Sequence, residues 1–310
     1  MSVKQLWVEA YRPSTVDGYV FTDENQRNQV EAWIREGSIP HLLLSGSAGT
    51  GKTTLAKMLI NELKIDEYDI MMANGSKEAR KVEWVDKLIN FCQTIPFGKF
   101  KVVLIDEADY MNINSVQPAL RNLMEDYSSN VRFILTCNYP NKIMPAIHSR
   151  CQGFHIEKTD QVEFTARAAT VLATEGVDFD LDTLDLYVKA TYPDLRKCLN
   201  LLQANSVTNT LVSPGESDKS VKDWKLSAVD LFKKGRIKEA RQIICTQGSL
   251  EDIDSVFRWM YDNLDLWSET EEGQDEAIVI IRKGLVYHSQ VTDAEINLSA
   301  TITELTQIGK

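Results

Sequence analysis

The chain has 310 residues, 43% hydrophobic and 25% charged, the balance of an ordinary globular protein with room for two or three domains. Its net charge of −11 is uneven: residues 1–158 carry 18 Lys and Arg against 19 Asp and Glu, residues 159–310 carry 16 against 26. No apolar run approaches a membrane span, and Cys92, Cys137, Cys151, Cys198 and Cys245 form no CxxC pair, which excludes a spanning chain, a disulfide framework and polyanion binding through overall charge.

Taken in order, the N-terminus lacks the basic-then-apolar pattern of a signal peptide, so a cytoplasmic chain with reduced, mostly buried thiols is expected. Short β-rich apolar runs follow at 41–45, 68–72, 101–105, 131–136 and 153–156. Amphipathic stretches lie between them, at 54–63, 82–91 and 115–127. Strands alternating with helices predict a parallel five-stranded sheet covered on both faces, with the near-continuous apolar run 101–105 at its centre. Past about residue 157 helical periodicity takes over, at 161–175, 181–190 and 194–204. The Ser, Thr, Pro and Gly-rich stretch 206–223 reads as a linker or loop. From Trp224 the pattern is helical again, and Lys233-Lys234-Gly235 reads as a helix end. The expected divisions are an α/β core at 1–157, a small helical lid at 158–205, the linker, and an all-α domain at 224–310.

The chemistry starts at residues 46–53, G-S-A-G-T-G-K-T, set between the first strand run and a helix run. Gly46, Gly49 and Gly51 let successive backbone N–H groups turn toward one anionic group, and the helix start adds its own unpaired N–H groups. Gly49, Thr50, Gly51 and Thr54 would line the phosphates, Lys52 would reach the β- and γ-phosphates of ATP, and the Thr53 hydroxyl would ligate Mg²⁺. A second element, Ile105-Asp106-Glu107-Ala108-Asp109, ends the central strand. In parallel sheets ligands gather at that end, so Asp106 is expected beside Thr53 in the Mg²⁺ shell, with Glu107 placed to polarise the attacking water.

These two motifs together resemble those of the AAA+ ATPases, and further residues narrow the resemblance. Trp7-Val8-Glu9-Ala10-Tyr11-Arg12-Pro13 is similar to the W-V-E-K-Y-R-P box of sliding-clamp loader subunits, with Ala10 where Lys is usual. Ser149-Arg150-Cys151 matches their S-R-C motif, and Pro193-Asp194-Leu195-Arg196 resembles their sensor 2 segment. The match covers about residues 5–205, and it resembles the small ATPase subunit of a replication factor C-like loader, closest in compactness to the bacteriophage form.

The resemblance implies a trans-acting arginine finger at Arg150, a water-orienting Asn138, and a γ-phosphate sensor at Arg196. It also places the adenine against backbone around Val8, Glu9, Ala10 and Tyr11, with Val20 as an apolar wall. Primer–template DNA is expected on residues 74–81, through Lys77, Arg80 and Lys81, which hold phosphates without reading bases. A second DNA candidate is 112–117 with Arg121, and clamp contacts are expected around 110–114 or the helix before it. The remaining partners implied are the sliding clamp, other copies of this subunit and a distinct loader subunit, with the C-terminal helices as an oligomerising collar. Two other readings stand beside this one: another DNA-dependent AAA+ ATPase, such as a helicase loader or branch-migration motor, and a non-hydrolysing structural subunit.

Overall fold

A computed structural model describes residues 6–206, 209–213, 223–248, 253–288 and 290–308. Most of the expected linker at 206–223 lies outside the described residues. The chain packs as two compact units: Arg12–Asp160, and a second made of Met1–Tyr11 together with Gln161–Lys310.

The chain opens on α1 (Trp7–Ala10), which belongs to the second unit. The first unit then runs α2 (Glu24–Glu36), β1 (Leu42–Gly46), α3 (Lys52–Glu62), β2 (Ile70–Asn74), α4 (Glu83–Gln93), β3 (Lys101–Asp106), α5 (Val116–Asp126), β4 (Val131–Cys137), α6 (Pro145–His148) and β5 (Gln152–Ile156). All strand pairs are parallel, in the order β2-β3-β4-β1-β5. The middle strand is β4 and not the run 101–105: β3 lies one in from the edge strand β2. It is nevertheless covered on both faces, Val103 and Ile105 joining a core with Leu88, Val116 and Leu120, and Val102 and Leu104 one with Val30, Leu55 and Leu59. Each such burial contributes about 1.5–3 kcal/mol. Helix limits follow local chemistry. Asp23 caps α2 by accepting from the Asn25 N–H, and Gly37 ends it in the left-handed region at φ 63°.

This order has one consequence for the site. The carboxyl ends of β1, β4 and β3 lie side by side, so the loop after β1, the acidic turn after β3 and Asn138 after β4 are neighbours.

The second unit adds α7 (Gln161–Thr174), α8 (Leu181–Thr191), α9 (Leu195–Asn205), α10 (Trp224–Lys233), α11 (Ile237–Ile243), α12 (Ile253–Asp262), α13 (Glu271–His288) and α14 (Ala294–Leu305). Asp180, Asp194, Asp223 and Asp293 cap α8, α9, α10 and α14. One apolar core runs through residues from both the expected lid and the expected collar, and Trp7 of α1 is buried in it. Trp224 and Trp259 meet edge to face at 5.5 Å, and Phe232 meets Trp267 in the same way at 5.3 Å. These tryptophans are core residues, with the Trp259 and Trp267 indoles donating to the Lys189 and Met260 carbonyls. As expected, α10 stops at Lys233 and Gly235 follows at φ 70°.

Candidate nucleotide site

The loop after β1 is built as its motif requires. Gly49 and Gly51 sit at φ 78° and 94°, and Gly51 occupies the cap position of α3. A Cβ on Gly51 would lie 3.2 Å from the Tyr19 ring, so the loop has an aromatic floor. The buried Lys52 ammonium donates to the Gly46 carbonyl at 3.1 Å and the Ser47 carbonyl at 2.5 Å, and the Thr50 hydroxyl donates to the same Ser47 carbonyl at 3.0 Å. Thr54 follows, half-buried in the first turn of α3.

Strand order then brings the second motif alongside. The Thr53 hydroxyl donates to Asp106 Oδ1 at 2.7 Å, and the Thr136 hydroxyl of β4 donates to the same oxygen at 2.5 Å. Glu107 takes the left-handed conformation, φ 54° and ψ 44°, which in a non-glycine residue costs about 1–3 kcal/mol and is typical of functional turns. Its N–H donates to the Thr136 hydroxyl at 3.1 Å. Gly75, just after β2, donates to the Asp106 carbonyl at 2.7 Å, and a Cβ there would lie 2.2 Å from the Glu107 carbonyl oxygen. Asp109 is 6% exposed and accepts the Tyr139 N–H at 3.2 Å. Asn138, between that residue and β4, is half-buried. Burial, with Asp109 adding to it, pushes the Cys137 thiol up to about 12, so this cysteine is no nucleophile at neutral pH.

The paired Thr53 and Asp106 oxygens fit Mg²⁺, which keeps much of its shell from water and phosphate and needs few protein donors. Among the described residues no group of three or more His, Cys, Asp and Glu forms another metal site.

Other expected residues lie elsewhere. Arg150 follows α6 with its side chain 28% exposed; it donates to the Ala146 carbonyl at 2.6 Å and pairs with Glu125 of α5, not with the phosphate loop or the acidic turn. Arg196 is exposed in the first turn of α9, behind the Asp194 cap. Val8, Glu9 and Ala10 lie in α1 and Tyr11 caps it. Within the helical unit the Trp7 N–H donates to Gln203 at 3.0 Å and the Tyr11 hydroxyl to Glu175 at 2.8 Å. Burial and the Glu175 carboxylate push the Tyr11 phenol up. Val20 is half-buried; the side chain against the loop is its neighbour Tyr19, which no motif marks.

Lys77, Arg80 and Lys81 are all exposed, around a 3-10 turn at Glu78–Arg80 that leads into α4. Asn74 shapes the turn by accepting from the Ser76 N–H and hydroxyl. Backbone N–H groups, its own first and that of Asn74 next, hold the Glu78 carboxyl below the usual range. In the second DNA candidate, Gln117 must be withdrawn. It is fully buried, donates to the Met111 and Lys142 carbonyls and accepts the Met144 N–H, so it is a staple between loops and not a surface donor. No motif marks the exposed apolar residues of the loop before β3, Ile95 at 87% and Phe97 at 78% exposed, the latter 5.7 Å from the Tyr68 ring. Fully buried Asp69 holds this loop by accepting the Phe97 and Gly98 N–H groups at 3.0 and 2.7 Å.

Comparison with known proteins decides the family. The family model described as "ATPase family associated with various cellular activities (AAA)" matches residues 42–160. The Replication factor C small subunit of Haloarcula marismortui is 32% identical over 312 residues, covering 99% of this chain and 88% of that protein. The chain belongs to the replication factor C small-subunit family. It is an AAA ATPase of the clamp-loader type that the motifs indicated. The Aeropyrum pernix Replication factor C small subunit is 38% identical over 211 residues, covering 66% of this chain and 63% of that protein. Among solved structures, the Thermotoga maritima RuvB Holliday junction branch migration motor aligns with a TM-score of 0.55 at 16% identity, covering 75% of this chain and 84% of that one. That likeness is one of fold alone.

Proposed function

We propose that this replication factor C small subunit hydrolyses ATP at interfaces between subunits to open a sliding clamp and load it onto primer–template DNA. The observation that carries the nucleotide half is the Thr53–Asp106 hydrogen bond, which unites the two motifs across three strands. Gly49, Thr50, Gly51, Lys52 and Thr54 hold the phosphates, and Thr53 and Asp106 hold Mg²⁺. When bound, the ion neutralises charge on the β- and γ-phosphates. Glu107 takes the proton of the attacking water, oriented by Asn138. Arg150 serves a neighbouring copy, a reading supported by its partly exposed side chain, which is held by Glu125 and the Ala146 carbonyl. Arg196 senses the γ-phosphate from the helical lid, 158–205, and the backbone of 8–11 borders the adenine. Residues 224–310 form the oligomerising collar.

Lys77, Arg80 and Lys81 hold DNA phosphates, and the close fit of Gly75 against Glu107 gives that contact a route to the active site. In the 110–114 segment, Tyr110 and Ile113, 46% and 53% exposed, are the apolar side chains offered to the clamp. Five unpaired thiols and the lack, among the described residues, of a helix long and apolar enough to cross a membrane fit a cytoplasmic place. Relatives aligned over nearly the whole chain favour this reading over a branch-migration motor, whose likeness is of fold only.

The test is the ATPase rate of the assembled complex with and without primer–template DNA and clamp. Joint stimulation supports a loader. Stimulation by DNA alone points to a motor, and absence of turnover to a structural subunit.

A further inference from the structure

Thr136 and Asp109, neither of which has a task in holding phosphate or Mg²⁺, join the ends of β3 and β4, and they do so in opposite directions. From β4, the Thr136 hydroxyl donates to Asp106 Oδ1 and accepts the Glu107 N–H. From the turn after β3, Asp109 reaches back to accept the Tyr139 N–H. Glu107 and Asn138 stand between these crossings, one on each strand end. We propose that Thr136 and Asp109 are positioning residues for ATP hydrolysis, a reciprocal clasp that fixes the separation of Glu107 and Asn138; this rests on the roles given to those two residues above.

The physical argument has three parts. Thr136 is 1% exposed on an interior strand flanked by Leu135 and Cys137, where an apolar side chain of the same shape would pack without any polar requirement. Its hydroxyl is nevertheless used twice, and both partners belong to the acidic turn. Second, Glu107 is held left-handed, a conformation that persists only where the surroundings over-determine it. Its N–H bond to Thr136 does so from one side and the backbone of Gly75 from the other. Third, Asp109 is a buried carboxylate with one oxygen on Tyr139 and the other, Oδ1, without a hydrogen-bond partner among the described residues. A buried acid so incompletely satisfied is costly to the fold, which argues for a task outside it. Together the crossings make the two strand ends move as one body. Loosening either lets the base and the water-orienting amide drift apart, and displacements of about 1 Å in such constellations reduce rates about 100-fold.

The experiment uses the full chain in its assembled, DNA- and clamp-stimulated complex. Thr136→Val, Thr136→Ser, Asp109→Ala, the Thr136→Val/Asp109→Ala pair and Glu107→Gln are compared by kcat, KM, affinity for a non-hydrolysable fluorescent ATP analogue, and hydrogen exchange at the Glu107 and Tyr139 amides. Thr136→Val and Asp109→Ala should each lower kcat about tenfold or more, with analogue affinity changed less than about threefold. Thr136→Ser, which keeps the hydroxyl, should restore turnover. The double variant should be little worse than the poorer single one, because a clasp opened at either crossing is already open. Both amides should exchange faster. Wild-type kcat in Thr136→Val, a loss of turnover that follows lost analogue binding, or unchanged exchange at both amides would overturn the clasp. Glu107→Gln separates the two ideas. If it keeps turnover, the base assignment is wrong; if it is inactive while Thr136→Val is fully active, only the clasp fails.

Discussion

Residues 46–53 declared their chemistry in the sequence because a phosphate loop needs its glycines, lysine and hydroxyl in a fixed local order. The same holds for Asp106 and Glu107. What stayed hidden were side chains whose role depends on a partner far along the chain. Thr136 reads as any β-branched strand residue, Tyr19 precedes the loop by some thirty positions, and Gln117 looks like a polar residue on an amphipathic helix. Only the packed sheet gives each of them its partner. Two predictions belong at this scale. Gly75→Ala puts a Cβ against the Glu107 carbonyl, a backbone atom that cannot swing aside. ATP binding should survive, while stimulated hydrolysis should fall by about tenfold or more, read by single-turnover kinetics beside analogue binding. Arg150→Ala should likewise bind ATP but lose DNA- and clamp-stimulated hydrolysis, by about 10³-fold or more if it acts as a finger in trans. Normal turnover of that variant in the assembled complex would remove the finger from Arg150.

At the scale of elements, the five strand runs were visible because each is short, apolar and β-rich, and the structure shifts their ends by two residues or fewer. The helices were visible through their periodicity, and several starts through an Asp cap. Less visible was the join between β1 and β4, where His41 sits. Its Nδ1 accepts the Phe133 N–H at 3.1 Å, which requires a ring without a proton on that nitrogen. Burial, and then the nearby Arg132 charge, hold the His41 imidazole below its ordinary value of 6.5. The unfolded chain therefore takes up the proton first as pH falls. The stabilising contribution of neutral His41 is complete above 6.5 and is lost progressively below it, down toward the lowered folded value. Urea midpoints measured across pH 5 to 8 should fall on the acid side, and His41→Asn should flatten that part of the profile. A profile unchanged by the substitution would show that the imidazole carries none of the dependence.

At the scale of the molecule, the uneven charge acquires a meaning. The near-neutral first half carries the exposed Lys77, Arg80 and Lys81, whereas the acidity collects in the helical unit. DNA binding through phosphates should therefore weaken steeply with salt in spite of the net charge of −11. Replacing the three cations by Gln should reduce the slope of log K against log salt by up to about 3, with little change in sequence preference. An unaltered slope would move the DNA contact elsewhere. The two-unit packing carries a different consequence. Because α1 packs with Gln161–Lys310, the ATPase unit is an insertion in a discontinuous helical unit. During synthesis the contiguous insertion can fold as soon as about residue 160 has cleared the ribosome. Trp7 packs with α9, and its N–H meets Gln203, 196 positions further along, so it has no partner until that helix is made. An indole made before the whole insertion therefore waits in water until after the insertion is complete.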